Sequence, residues 1–242
     1  MKWNRTLVAI TALAFIAPAA SGYEAGEVSN GGTIKGKISV GDKGLKDGTR
    51  PVTKDNDFCG TQVPAETHLV SADGGLQNAV VTIEGIANGK PFASNGDFVI
   101  SNNKCRFVPH VMVAPKGAMM KVRNDDPLLH NSHFYLVQAD SKKKKNVINL
   151  ALPKQGVEIG KKKILRKPGL LSVLCDAHDF MQAWVWVTEN PYAAVTSAGG
   201  DFALENVPPG SYKLKVWHES LGERLVDVTV AAGKTATANA SY

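Results

Sequence analysis

The chain has 242 residues, of which 43% are hydrophobic and 21% charged, which is the composition of a folded globular protein and excludes a disordered or collagen-like chain. It carries 28 basic and 22 acidic residues, for a formal net charge of +6. Its three cysteines cannot all be paired within one chain, so in an exported protein one thiol is left for another role.

Residues 1–22 are predicted to be an export signal. Lys2 and Arg5 give a positive start, residues 7–17 are almost continuously apolar, and small residues follow as far as Gly22. The apolar run is shorter than the roughly 20 residues of a membrane span, although an uncleaved anchor is the alternative. We expect a mature protein that is periplasmic or secreted and has no membrane span after signal cleavage.

Short alternating segments bounded by Gly, Pro, Asn and Asp recur along the chain, and helical periodicity is nearly absent. The predicted fold class is therefore all-β. In chain order the predicted strands are 33–40, 79–86, 111–114, 118–124, 133–138, 170–174, 183–187, 212–217, 225–230 and 235–242. Pro115, Lys116 and Gly117 predict a hairpin turn between the third and fourth of these strands.

The sequence changes character after Pro191, where turns and short strands follow closely on one another. We place a domain boundary near residue 190, which gives a larger domain over 23–190 and a small one over 191–242. About 50 residues make a small core, so the tail is expected to pack on the larger domain.

Two lysine runs, 142–145 and 161–163, hold much of the positive charge. They are either solvated loops that flank strands or a docking patch for an acidic protein partner, since surface charge of one sign steers encounter at long range. The runs lack interleaved aromatic residues, so nucleic acid is not an expected partner.

The strongest motif is C-x2-H-x2-M, formed by Cys175, His178 and Met181 on a short loop between two predicted strands. Thiolate and imidazole are good ligands for a transition metal, and a thioether is a weak one. A second imidazole would complete the His2Cys set with a long axial Met that defines a blue copper site. His130, which follows a predicted strand 45 residues before Cys175, is the candidate.

These residues resemble those of the cupredoxins. The run V-R-N-D-D-P-L-L-H-N is similar to the family's strand and loop that end in the first histidine ligand, and C-D-A-H-D-F-M is similar to the short ligand loop of amicyanins. The strand at 107–109, with its F-x-P pattern, and the return strand after it also match, and the likeness covers roughly residues 32–187.

The resemblance implies a Greek-key β-sandwich that binds one type 1 copper ion. His130, Cys175 and His178 would be equatorial ligands and Met181 the axial one. Asn131 would hold the ligand loop by hydrogen bonding. The ring edge of His178 would reach an apolar surface and pass the electron.

Two features depart from the family pattern. Leu174 replaces the usual aromatic residue before the ligand cysteine, and Asp176 and Asp179 flank the loop with negative charge, which favours the oxidised ion and a lower potential. His110 and His133 are additional histidines near the expected metal end. They are either supporting or surface residues, or alternative metal ligands.

The tail resembles carboxypeptidase regulatory-like, transthyretin-like modules, on the strength of T-S-A-G-G-D-F-A-L-E-N-V-P-P-G-S-Y. That resemblance implies a small prealbumin-like β-sandwich with packing or interaction roles. His218 is expected at the surface, at the end of a strand.

Cys59 and Cys105 lie outside the copper motif. In an oxidising compartment their simplest fate is a disulfide, which leaves Cys175 as the free thiol.

The leading functional hypothesis is a one-electron carrier that acts between redox partner proteins, and a docking patch formed by the lysine runs would favour an acidic one. Copper delivery, storage or sensing is the alternative. An enzyme is not expected, because copper oxidases and nitrite reductases that resemble this fold need further histidine clusters and further domains. A cupredoxin fold with an empty site is a third possibility.

Overall fold

The computed structural model describes residues 22–41, 44–93, 96–138 and 143–242, and these residues form an almost purely β structure. The predicted all-β class is confirmed. All of the predicted export signal except Gly22 lies outside the described residues. No helix among the residues described is long and apolar enough to cross a membrane.

The elements in chain order are β1 (Glu24–Ala25), β2 (Gly32–Ser39), β3 (Thr49–Pro51), α1 (Asn56–Cys59), β4 (Gln62–Pro64), β5 (Val80–Ile83), β6 (Asn88–Gly89), β7 (Phe98–Asn102), β8 (Phe107–Val108), β9 (Val111–Pro115), β10 (Met120–Asn124), β11 (His130–Val137), β12 (Lys144–Leu152), β13 (Glu158–Lys161), the 3-10 helix η1 (Lys162–Leu165), β14 (Gly169–Leu174), β15 (Gln182–Thr188), β16 (Ala193–Val195), β17 (Asp201–Val207), β18 (Gly210–His218), β19 (Gly222–Val230), β20 (Thr235–Thr237) and β21 (Ala240–Ser241).

Two sheets enclose the core of the first β-sandwich. One has the strand order β13-β10-β7-β8, and the other has the order β12-β11-β14-β15-β9. In β10 the side chains of Met120, Val122 and Asn124 are buried while Lys121 and Arg123 are not, because alternate residues of a strand face opposite sides of the sheet. The apolar side of each sheet therefore closes over one common core.

The turn at residues 115–117 is present, but the predicted hairpin is wrong. Strand β9 pairs in parallel with β15, whereas β10 pairs with β7 and β13 in the other sheet. Gly117 has a positive φ of 80°, which suits glycine in a tight turn. The turn residues specify a reversal of the chain and leave open which strands pair, so the chain here crosses between the two sheets.

The second β-sandwich is built from both ends of the chain. Its sheets have the orders β16-β5-β18-β19 and β17-β2-β20, with β21 also paired to β2. Ile34 of β2 lies opposite Leu204 of β17, and both are buried in this core. Residues 23–190 were expected to form the first domain, whereas β2 and β5 belong to the second sandwich. A boundary near 190 therefore does not separate the two cores.

The two sandwiches pack against each other through a third, smaller apolar cluster. Val111 and Trp217 are buried there, and the Trp184 ring meets the Trp217 ring edge-on at 5.5 Å between centroids. Trp184 also donates its indole N–H to a Glu219 carboxylate oxygen at 2.9 Å. The tail thus packs on the first sandwich, as the sequence analysis expected.

His218 was expected at the surface, and that expectation is wrong. Its side chain is 1% exposed, and its ring lies 6.3 Å from the Tyr242 ring. The His68 ring lies at the same distance from the His218 ring, so these two rings cover the end of β18.

The Cys59–Cys105 disulfide is confirmed, with a Cα–Cα distance of 5.6 Å, and Cys175 is a buried free thiol. The disulfide ties residues 49–64, which comprise β3, α1 and β4, to the first sandwich. Val52 and Val63 of this segment are buried in the first core. We call residues 49–64 the cap.

Candidate metal centre

Three predicted ligands meet at one end of the five-stranded sheet. His130 begins β11, Cys175 follows the last residue of β14, and His178 lies on the loop that leads to β15. Strands β11 and β14 are antiparallel neighbours, with His133 opposite Leu174. The start of one strand and the end of the other therefore lie side by side.

The three ligand atoms form a compact triangle. Nδ1 of His130 lies 3.0 Å from Nδ1 of His178, and the Cys175 Sγ lies 4.0 Å from the first of these atoms and 3.7 Å from the second. The two histidines are 0% exposed and Cys175 is 2% exposed. Atoms that share one metal ion at about 2.0–2.3 Å lie no more than about 4.6 Å apart. All three separations satisfy this limit, so the group fits a metal ion.

Each histidine is oriented by a carboxylate on its other nitrogen. Nε2 of His130 donates to Asp126 Oδ2 at 3.0 Å, and Nε2 of His178 donates to Asp55 Oδ2 at 2.8 Å. A proton held at Nε2 leaves the Nδ1 lone pair free to bind a metal, and both Nδ1 atoms face the thiol.

Asn131 links the first histidine strand to the ligand loop. Its Oδ1 accepts the backbone N–H groups of Asp176 at 2.8 Å and Ala177 at 3.1 Å, and its own backbone N–H points to the Cys175 Sγ at 3.5 Å. These bonds fix the position of the sulfur relative to His130.

Burial changes the protonation of the ligands. It raises the pKa of the Cys175 thiol, and burial together with the nearby His178 ring lowers the pKa of His130. In the metal-free protein at neutral pH, the Cys175 thiol therefore keeps its proton and the His130 imidazole is uncharged. A metal that binds here must displace the proton from sulfur.

Met181 closes the ligand loop. Its backbone N–H donates to the His178 carbonyl at 3.0 Å, and its side chain is 2% exposed. The predicted fourth ligand thus lies on the same short buried loop as two of the others.

The structure does not bring His110 or His133 into the ligand group found among the described residues. His133 bonds to Asp176 at 2.9 Å and stacks on Tyr135, with 4.0 Å between the ring centroids. His110 forms a short hydrogen bond with Glu219 at the interface of the two sandwiches. Each of these histidines is held by a carboxylate and lies outside the ligand group.

The expectation of an exposed His178 edge is wrong. His178 is fully buried, because Asp55 of the cap covers its Nε2. The cap also contacts the ligand loop through Thr53, whose hydroxyl donates to Asp179 at 2.7 Å, and through Arg50, which donates to the Phe180 carbonyl at 3.4 Å.

Asp126 and Asp55 are the site residues that sequence reasoning missed. Asp126 lies four residues before His130 in a run of polar residues, so the sequence alone predicts that it lies close to this histidine. Asp55 lies 123 residues from His178, and the one sequence signal for it was its position four residues before a cysteine predicted to form a disulfide.

Comparisons with known proteins give partial similarities. The family model described as "Polysaccharide lyase family 4, domain II" matches residues 166–238, which run from the end of the first sandwich into the second. No curated protein matches the chain.

Among solved structures, a copper-containing nitrite reductase from Thermus scotoductus is 17% identical over 40% of this chain, with a TM-score of 0.31, and the match spans only 24% of the reductase. A reduced copper(I) form of an amicyanin mutant is 20% identical over 45% of this chain and 98% of its own, with a TM-score of 0.32. A purple cupredoxin from Nitrosopumilus maritimus is 18% identical over 38% of this chain and 100% of its own, with a TM-score of 0.29. Similarities of this size assign neither a family nor a function to the chain.

Proposed function

We propose that the protein is an exported type 1 copper protein that carries single electrons between redox partners. The observation that carries the proposal is the buried triangle of two imidazole Nδ1 atoms and one thiol, with separations of 3.0, 3.7 and 4.0 Å. One sulfur and two imidazoles, together with a methionine on the same loop, are the donor set of a blue copper site.

In this proposal His130, Cys175 and His178 hold the ion and Met181 is its weak axial ligand. Bound copper would supply a one-electron couple between its cuprous and cupric states. The chain itself supplies rigidity. Two carboxylates fix the histidine rings, Asn131 fixes the sulfur, and burial excludes water, so the ligands need to move little when the charge on the metal changes.

The Cys59–Cys105 disulfide supports a periplasmic or secreted location, since disulfides persist in oxidising compartments. The assignment as a carrier and not an enzyme is part of the proposal.

Copper storage is the second candidate, and one observation favours it. The cap covers His178, so a partner has no direct access to the ring edge, and the buried ligand set would release its metal slowly.

A redox titration of the copper-loaded full chain separates the two candidates. A carrier binds one copper per chain and shows blue absorption that a mild reductant bleaches and an oxidant restores over many cycles. A colourless protein that holds only cuprous ion would replace the carrier proposal with copper handling. A chain that binds no copper would overturn both.

A further inference from the structure

A pocket at the far end of the first sandwich is surrounded by positive charge. Lys145, Lys163, Arg166 and Lys167 line it, and all four are exposed. None of these four side chains forms an ion pair with any acidic group of the described residues. Four uncompensated cations at one site repel one another and favour an anionic occupant.

The floor of this basic pocket is apolar. Leu136, Val147 and Leu171 line it, and Leu171 belongs to the first core. The cavity measures about 160 Å³, and a cavity of about 150 Å³ is enough to hold one benzene ring. The pocket therefore has room for one large apolar side chain.

The pocket lies at the opposite end of the sandwich from the candidate metal centre. In the β11–β12 ladder, His130 pairs with Leu152 at one end and Val137 pairs with Lys144 at the other. Leu136 is six residues along β11 from His130, a separation of about 20 Å at the rise of an extended strand. Strand β14 also runs from the pocket to the metal centre, since Leu171 is near its start and Cys175 follows its end.

Strand β12 forms one edge of its sheet, and lysines on an edge strand discourage pairing with another chain. That role accounts for Lys145. It does not account for Lys163, Arg166 and Lys167, which lie in and just after η1 and belong to no strand.

We propose that the basic pocket docks an acidic segment of a partner protein that inserts one large apolar side chain between flanking carboxylates. Arg166 can bind a carboxylate through two parallel N–H groups, and the lysines provide further positive charge around the opening. The apolar floor distinguishes this occupant from a simple polyanion. The concave shape, sized for one side chain, favours a peptide over the flat surface of a membrane.

Docking of an acidic protein partner is one of the two roles considered for the lysine runs, and two of their residues, Lys145 and Lys163, line this pocket. Because the pocket and the ligand triangle lie at opposite ends of the strands, a partner bound here would not exchange electrons directly with the metal centre. A partner held here leaves the metal end free to face a second molecule. The inference does not rest on the proposed function, since it involves no metal ligand.

The test uses the metal-free full chain and a fluorescent peptide with one leucine between two pairs of glutamates, with binding followed by anisotropy. A matched peptide has alanine in place of the leucine. The double variant Lys163→Glu/Arg166→Glu reverses two charges of the pocket, and Lys234→Glu, at an exposed lysine of the second sandwich, is the control. The unfolding transition of each variant checks that it is folded.

We expect the native chain to bind the leucine peptide saturably, with an affinity that falls as salt is added. The double variant should bind it at least about tenfold more weakly, and Lys234→Glu should bind it as the native chain does. The alanine peptide should bind at least about fivefold more weakly, because it leaves the apolar floor unfilled. Absence of peptide binding, or equal binding by the double variant, would overturn the proposal. Binding to anionic phospholipid vesicles without binding to the peptide would also overturn it and assign the surface to a membrane.

Discussion

The Asp55 carboxylate accepts the Nε2–H of His178 at 2.8 Å, across 123 residues of sequence. Asp55 has a left-handed backbone conformation, with φ of 57°, and the Cys59–Cys105 disulfide follows four residues later. A non-glycine residue held in this region is often found where a site needs a fixed geometry. The cap therefore acts as an outer wall of the metal centre and positions one of its ligands.

Asp55→Ala should loosen the metal centre without removing a ligand. Loss of a group that orients a ligating histidine costs about 10- to 100-fold in metal affinity, so transfer of copper to an external chelator should become faster. Asp55→Asn keeps an oxygen that can accept the hydrogen bond. Its rate of copper transfer should therefore lie between the rates of Asp55→Ala and the native protein. Asp57→Ala, at an exposed acid of α1, the helix that follows Asp55, is the control. Equal transfer rates for Asp55→Ala and the native chain would show that the cap does not position His178.

Asn131→Ala should destabilise both the fold and the ligand loop. The change removes the acceptor for the backbone N–H groups of Asp176 and Ala177, and each lost hydrogen bond to these part-buried groups costs about 0.5–1.5 kcal/mol. Denaturant unfolding of the metal-free protein measures the stability, and the visible spectrum of the copper-loaded protein reports the sulfur. A variant with native stability and a native spectrum would contradict the role assigned to Asn131.

The disulfide should stabilise the chain by about 4 kcal/mol in the chain-entropy model for a loop of this length. The double variant Cys59→Ser/Cys105→Ser is preferred to either single change, because it leaves Cys175 as the one thiol of the chain. We expect a lower free energy of unfolding and faster copper exchange, since the cap loses its covalent anchor. The native chain used for comparison must first be shown to contain the Cys59–Cys105 disulfide. An equal free energy of unfolding for the double variant and this native chain would refute this account of the cap.

His218 should make the fold sensitive to acid. Burial lowers the pKa of His218 from 6.5 to about 4, so between these values the unfolded chain binds a proton that the folded chain does not. The free energy of unfolding should therefore fall as the pH drops from 6.5 towards 4, by about 3 kcal/mol in total. His218→Gln should flatten this slope in the metal-free protein. An equally steep slope in the variant would assign the acid sensitivity to other groups.

The sequence was most informative where ligands are close together along the chain. Cys175, His178 and Met181 lie within seven residues, so their types and spacing alone predicted a metal site. His130 followed from the need for a second imidazole near a strand end. The Cys59–Cys105 bridge followed from cysteine chemistry in an oxidising compartment.

The sequence patterns did not predict which strands pair over long distances in the sequence. Strand β2 reads as an ordinary alternating strand, and nothing in it specifies pairing with β17, more than 160 residues later. The cover over His178 depends on the cap, whose Asp55 has no local pattern that marks a ligand partner. Both features arise from tertiary packing, which local periodicity does not encode.

The visible absorption spectrum after titration with copper tests the central claim most directly, using the full chain and the Cys175→Ser variant. The account predicts an intense blue band that saturates at one copper per chain, is absent from Cys175→Ser and persists in Cys59→Ser/Cys105→Ser. A native chain that stays colourless with cupric ion would contradict the blue copper account, and a Cys175→Ser variant that keeps the blue band would contradict the assignment of this thiol as a copper ligand.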